Sequence, residues 1–127
     1  MTTVFVLSKM TSYRTFFDVT NIDSEETLLN ALVSHTGGKP AVVLATALWC
    51  GPCKTLKTKL ANKTHLSDQD FESATWFVLD VDENDRSLIE ELGISQIPHA
   101  IVYAGGNKTN IKTDHLLNIK RALGTNL

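Results

Sequence analysis

Cys50 and Cys53 are the two cysteines of this 127-residue chain, and only Gly51 and Pro52 separate them. If the first cysteine opens a helix, this spacing places the two α-carbons about 5 to 6 Å apart, within disulfide range. The free N–H groups and the dipole at a helix N-terminus stabilise a thiolate, which is the nucleophilic form of cysteine. We therefore predict a redox pair in which Cys50 attacks a substrate disulfide and Cys53 resolves the mixed disulfide.

The neighbours of the two cysteines suit this chemistry. Pro52 has the φ angle of a first helical turn, and it has no N–H to leave without a partner there. Gly51 keeps side-chain bulk away from Cys50, and Trp49 supplies an apolar rim beside the thiol. These three residues are predicted to contact the substrate.

Two other interpretations of a single Cys-x-x-Cys motif stay open at this point. Zinc is usually held by four ligands, and the other ligands would have to come from the four histidines, none of which forms a closely spaced pair. The histidines are His35, His65, His99 and His115. Two inert buried cysteines are the second alternative, because cysteine is often buried. We predict no metal and no cofactor.

The elements around the motif are predicted from hydrophobic patterns. Residues 40–48 form a continuous apolar run, typical of a central strand covered by helices on both faces. After Cys50, helical spacing continues through Cys53, Leu56 and Leu60. The other predicted strands cover residues 4–7, 15–19, 76–81, 100–104 and about 109–112, and the other predicted helices cover about 25–36, 86–92 and 116–123.

The connections between these elements complete the topology. Asp23 or Ser24 is predicted to cap the first helix, and Thr113 or Asp114 the last helix. Residues 9–14 are predicted to form a turn or loop, and residues 64–73 a polar connection that can include helix. The order β-β-α-β-α-β-α-β-β-α predicts a mixed central sheet between layers of helices.

Composition sets outer limits on function. The length suits one domain over residues 1–127, and a net charge of −2 gives no indication of a nucleic-acid partner. No stretch approaches the roughly 20 apolar residues that span a bilayer. The start of the chain lacks a basic leader and a long apolar run, which favours a cytoplasmic location over secretion.

The sequence resembles the thioredoxin family from about Ser24 to its end. Residues 49–54, Trp-Cys-Gly-Pro-Cys-Lys, are identical to the thioredoxin active site, and residues 93–98 are similar to the family segment that ends in a cis proline. The resemblance implies a three-layer α/β/α sandwich, a cis bond before Pro98, and pairing of the Ile97 backbone with the substrate. Residues 1–12 lie outside the resemblance and are expected to add an edge strand.

The resemblance also implies a function. It indicates a protein-disulfide reductase that acts as a monomer in cell redox homeostasis and electron transport. Its partners would be disulfide-containing proteins and a thioredoxin reductase or a similar electron donor. The alternative is a binding module or partner subunit that keeps the fold, with redox turnover secondary.

Several positions depart from the family pattern. Leu44 occupies the position of a buried aspartate that is thought to move a proton from the second thiol, and Val78 occupies that of its lysine partner. The loss of both charges together is self-consistent, because a buried charge without its partner is costly. Thr58 replaces the proline that kinks the active-site helix. His99 replaces a small threonine after the cis proline, and we interpret it as an exposed edge residue or a residue that tunes the dithiol.

A further departure lies in the last strand. The family's glycine there has no clear counterpart in this chain, and residues 110–112 occupy that region.

Overall fold

Six strands form one mixed sheet in the computed structural model, which describes residues 5–11, 14–112 and 115–126. The strands are β1 (Phe5–Thr11), β2 (Arg14–Thr20), β3 (Ala41–Thr46), β4 (Thr75–Asp80), β5 (His99–Ala104) and β6 (Asn107–Ile111). Their order across the sheet is β1-β2-β4-β3-β5-β6. β3 lies inside the sheet, parallel to β4 and antiparallel to β5.

Helices cover both faces of this sheet. The helices are α1 (Glu25–Thr36), α2 (Gly51–Leu60), α3 (Asp68–Glu72), α4 (Arg86–Glu91) and α5 (Leu116–Asn126). Leu28 of α1 and Leu88 of α4 pack with Val43 on one face. Leu56 of α2 and Ile119 of α5 pack with Leu44 and Val42 on the other face. The predicted three-layer α/β/α sandwich is confirmed.

The N-terminal segment differs from the prediction. The connection predicted for residues 9–14 is wrong, because β1 continues to Thr11 and β2 already begins at Arg14. The two strands pair antiparallel from Phe5 opposite Thr20 to Thr11 opposite Arg14. Backbone pairing therefore continues β1 beyond the short apolar run from which it was predicted. β1 lies at the edge of the sheet, as expected for residues outside the family resemblance.

The other element boundaries follow local chemistry. Ser24 is the N-cap of α1 and accepts the N–H of Thr27, and Gly37 ends the helix with a left-handed φ of 56°. Part of the predicted connection 64–73 is helical, as α3. The predicted caps Thr113 and Asp114 of the last helix lie outside the described residues. No helix in the described ranges is long and apolar enough to cross a bilayer.

A buried arginine fixes the far end of the helix that carries the cysteines. The Arg14 guanidinium donates hydrogen bonds to the carbonyls of Leu60 and Leu66 and lies 3.2 Å from a carboxylate oxygen of Asp68. It also covers the ring of Phe71, with 4.9 Å to the ring centroid. Arg14 thereby ties β2 to the end of α2 and to the start of α3.

Replacing Arg14 by methionine should lower the free energy of unfolding by about 3 kcal/mol, because two carbonyls lose a buried donor. Urea denaturation measures this change. Arg86→Met is the matched control, since Arg86 is 91% exposed and pairs with Glu90 on the surface. We expect that control to cost less than about 0.5 kcal/mol. Equal losses in the two variants would contradict the role assigned to Arg14.

A second polar cluster joins the first turn of α1 to the last hairpin. The Glu25 carboxylate accepts a hydrogen bond from the Tyr103 hydroxyl at 2.9 Å and pairs with the Lys108 ammonium at 2.8 Å. Partial burial raises the pKa of Glu25. The hydrogen bonds from Lys108 and Tyr103 and the charge of Lys108 lower it by more in total, so the pKa of Glu25 is below its ordinary value. Burial, and then Glu25, raise the pKa of Tyr103.

Because the pKa of Glu25 is lowered in the folded state, its stabilising effect is present above the unfolded-state pKa and is lost as pH falls through the folded-state pKa. Glu25→Gln should therefore cost about 1 kcal/mol of unfolding free energy near neutrality. The difference from the parent should shrink in acid. Denaturation curves at several pH values measure this, with Glu26→Gln in the same helical turn as control. A difference that does not depend on pH would contradict the assignment.

Candidate active site

The two cysteines meet where the central strand gives way to a helix. β3 ends at Thr46, a short turn follows, and Cys50 is the N-cap of α2. Cys50 and Cys53 form a disulfide with 5.3 Å between their α-carbons, within the predicted range. The N–H of Cys53 points at Cys50 Sγ at 3.2 Å. The helix N-terminus therefore directs a hydrogen-bond donor at the first sulfur, as the thiolate chemistry requires.

The two cysteines of the disulfide are buried, and the residues between them are exposed. Both cysteines are only 4% exposed, whereas Gly51 and Pro52 between them lie at the surface. Pro52 is in the first turn of α2, as predicted. A Cβ at position 51 would meet no atom within 4 Å, so the glycine leaves open space above the disulfide.

A hydrogen bond holds the side chain of Trp49, the residue before Cys50, in place. Its side chain is 70% exposed, and its indole N–H donates to Oδ2 of Asp82 at 2.9 Å. Asp82 in turn donates its backbone N–H to Oδ1 of Asp80, at the end of β4. Sequence reasoning missed Asp82 as a functional residue. The contact joins residues 33 positions apart, and no local pattern signals it.

The second motif approaches the disulfide from across the sheet. The Ile97-Pro98 peptide bond is cis, as the family resemblance implies. Ile97 packs against the small cluster formed by Ala47, Cys50 and Cys53. Between Trp49 and Ile97 lies an apolar groove of about 380 Å³, which also contacts Val81, Ile89 and Ile94. The structure thus brings Trp49, both cysteines and Ile97 together.

His99 is buried, so its interpretation as an exposed edge residue is wrong. Only 1% of its surface is exposed, because β5 is an inner strand between β3 and β6. Its Nε2 lies 3.0 Å from the Asn110 side-chain oxygen and donates to it. His99, the residue after the cis proline, is therefore hydrogen-bonded to the last strand, β6.

The positions of the missing buried charges are filled by hydrocarbon. Leu44 and Val78 are directly opposite each other in the β3–β4 register and are 5% and 6% exposed. Behind Cys53 they leave a void of only about 10 Å³. Among the described residues, no group of three or more His, Cys, Asp or Glu side chains is placed to hold a metal ion.

Comparison with known proteins agrees with this geometry. The family model for Thioredoxin matches residues 19–122. Thioredoxin-2 of Saccharomyces cerevisiae is 31% identical over 110 residues, which is 86% of this chain and 99% of the yeast protein. Mitochondrial thioredoxin O1 of Arabidopsis thaliana is 34% identical over 68% of this chain.

The chain spans 44% of the length of that Arabidopsis protein, and 46% of chloroplastic thioredoxin F of Oryza sativa.

Solved structures show the same fold. The thioredoxin of Trypanosoma brucei brucei superimposes with a TM-score of 0.67 at 22% identity, over 92% of this chain and 96% of that chain. A Schistosoma mansoni thioredoxin pre-protein gives a TM-score of 0.68 at 23% identity, over 87% and 96% of the two chains. Together with the family match and the disulfide at the helix N-terminus, these likenesses show that the chain belongs to the thioredoxin family.

Proposed function

We propose that this chain is a protein dithiol–disulfide oxidoreductase that reduces disulfides in other proteins. The observation that carries this proposal is the Cys50–Cys53 disulfide at the start of α2. It lies between an exposed Trp49 and the Ile97-Pro98 segment. This arrangement supports thiol–disulfide exchange, because it offers a stabilised thiolate and a neighbouring thiol to complete the exchange.

The reaction starts from the reduced dithiol. The Cys50 thiolate attacks one sulfur of the substrate disulfide and forms a mixed disulfide, and the other substrate sulfur leaves as a thiolate that takes up a proton. Cys53 then loses its proton and attacks Cys50 Sγ. The bond between Cys50 and the substrate breaks, and its electron pair goes to the substrate sulfur. The substrate is reduced by two electrons, and the pair becomes the disulfide described above.

The substrate is held by the surface around the disulfide. The groove between Trp49 and Ile97 is lined by apolar side chains, which suits the residues that flank a substrate cysteine. Gly51 and Pro52 leave the approach to Cys50 open. The backbone of Ile97, next to Pro98, pairs with an extended substrate chain as an added strand would.

The oxidised pair needs a source of electrons. A thioredoxin reductase or a similar dithiol donor would restore it, and the protein would then serve electron transport and redox homeostasis in the cytoplasm as a monomer. The names of relatives include mitochondrial and chloroplastic forms, so localisation by fluorescent fusion is the direct test.

A binding role is the second candidate. Two observations favour it: the buried charges are absent at Leu44 and Val78, and the added strand β1 extends the sheet. In that case the fold would serve mainly as a partner subunit. Catalytic reduction of a protein disulfide separates the two candidates.

Insulin reduction with dithiothreitol tests the enzyme. The parent should accelerate precipitation of the insulin chains, while Cys50→Ser and Cys53→Ser should fall to the uncatalysed rate. Cys53→Ser should also accumulate a mixed disulfide on Cys50, visible as a mass increase under non-reducing conditions, because no thiol remains to resolve it. Turnover of the parent no faster than that of the two variants would favour the binding module.

Asp82→Ala should lower kcat/KM for a protein disulfide several-fold, because the Trp49 indole loses the acceptor that orients it. Steady-state insulin reduction measures this effect. Trp49→Phe, alone and combined with Asp82→Ala, completes a double-mutant cycle. We expect the double variant to be no slower than Trp49→Phe alone. Fully additive losses would show that Asp82 acts independently of Trp49.

A further inference from the structure

The described part of the chain contains a second cavity, on the side of the disulfide away from the substrate groove. It has a volume of about 320 Å³ and lies between α2 and the ends of β2, β3 and β4. Its polar lining residues include Asp18, Thr46, Lys57, Asp80 and Glu83, together with Cys53. A cavity needs only about 10 to 15 Å³ to admit one water. This cavity, which Cys53 lines, is therefore large enough to hold several waters.

Asp18 lies in the same row of the sheet as the two lost charges. The registers pair Leu44 with Val78 and Val78 with Asp18, so the three side chains lie on one face. Neighbouring strands are about 4.8 Å apart, which puts the Asp18 α-carbon about 10 Å from that of Leu44. A carboxylate is thus present in this row, on β2, two strands away from Leu44 on β3. There it lines the cavity.

A cation accompanies this carboxylate. Lys57 is one helical turn after Cys53 and lines the same cavity. Its ammonium lies 5.9 Å from the ring centroid of Phe16, two residues before Asp18 on β2. The Lys57 side chain therefore reaches from α2 toward β2 and brings positive charge to the wall that carries Asp18. A partly buried carboxylate benefits from such a compensating charge.

The other charged groups around the cavity lie at different positions. Asp80 accepts the N–H of Asp82 through Oδ1 at 2.8 Å and so supports the Trp49 contact. Glu83 and Lys54 are exposed at the rim. Asp18 is the half-buried carboxylate in the row of Leu44.

We propose that Asp18 accepts the proton of the Cys53 thiol through water in this cavity during resolution of the mixed disulfide. The Cys53 S–H bond breaks, a proton passes along the water to the carboxylate, and the sulfur electron pair attacks Cys50 Sγ. The substrate thiolate leaves and takes up a proton from solvent. This inference rests on the proposed function.

The experiment mixes reduced protein with an excess of a chromogenic nitrobenzoate disulfide in a stopped-flow instrument. Attack by Cys50 releases a first coloured thiolate at a rate proportional to disulfide concentration. Resolution by Cys53 releases a second at a rate independent of that concentration. Cys53→Ser should release the first only. Absence of the first phase in the parent would overturn the proposed function itself.

Asp18→Asn should slow the second phase about tenfold near neutrality and leave the first unchanged, an effect below the direct proton transfer of a positioned base because water intervenes. The second-phase rate of the parent should be nearly constant from about pH 6 to pH 8. That of Asp18→Asn should rise with pH, because hydroxide then removes the proton. Asp18→Glu should restore the parent's pH profile.

Glu83→Gln is the matched control, because Glu83 is an exposed carboxylate at the rim of the same cavity. It should change the second phase less than twofold. An unchanged second phase in Asp18→Asn would overturn the proposal while leaving the proposed function intact. So would equal slowing in Glu83→Gln, or a parallel loss of both phases and of stability without a change in the pH profile.

Discussion

The burial of β3 on both faces is the constraint on which the rest of the structure depends. Five of its six residues are buried, and only Thr46 at its end is partly exposed. Such a strand holds its end in a fixed position, so the turn from Thr46 to Cys50 delivers the first sulfur to the N-terminus of α2. The same burial makes any charge within the strand costly. The disulfide is thus well placed, but an unpaired acid at Leu44 could not be tolerated behind it.

Two departures from the family pattern involve residues that face each other on neighbouring strands. Leu44 and Val78 are opposite each other in the sheet and are both apolar. His99 and Asn110 are joined by a hydrogen bond of 3.0 Å between neighbouring strands. The absence of both charges avoids an unpaired buried charge, and Asn110 gives the buried Nε2 of His99 a hydrogen-bond partner. A contact between the two altered positions is what a viable alternative arrangement in a packed interior requires.

Local patterns were sufficient for most of the fold and for the front of the site. The apolar run of β3, the cap Ser24 and the Cys-Gly-Pro-Cys turn each depend on neighbours in sequence. The cis bond at Pro98 was expected only from the family resemblance. Arg14 and Asp18 could not be recognised in this way, because most of their surroundings come from segments about 30 to 65 residues away. Sheet order and register determine these contacts, and no short pattern encodes them.

The front and the back of the disulfide are connected through Asp80. Its side chain lines the rear cavity, and its Oδ1 holds the Asp82 N–H, while Asp82 holds the Trp49 indole at the substrate groove. Asp80 therefore belongs both to the wall of the cavity and to the short segment that positions the tryptophan. Because these hydrogen bonds involve charged acceptors, they are stronger than neutral ones. Asp80 and Asp82 thus link the wall of the cavity that Cys53 lines to the tryptophan beside Cys50.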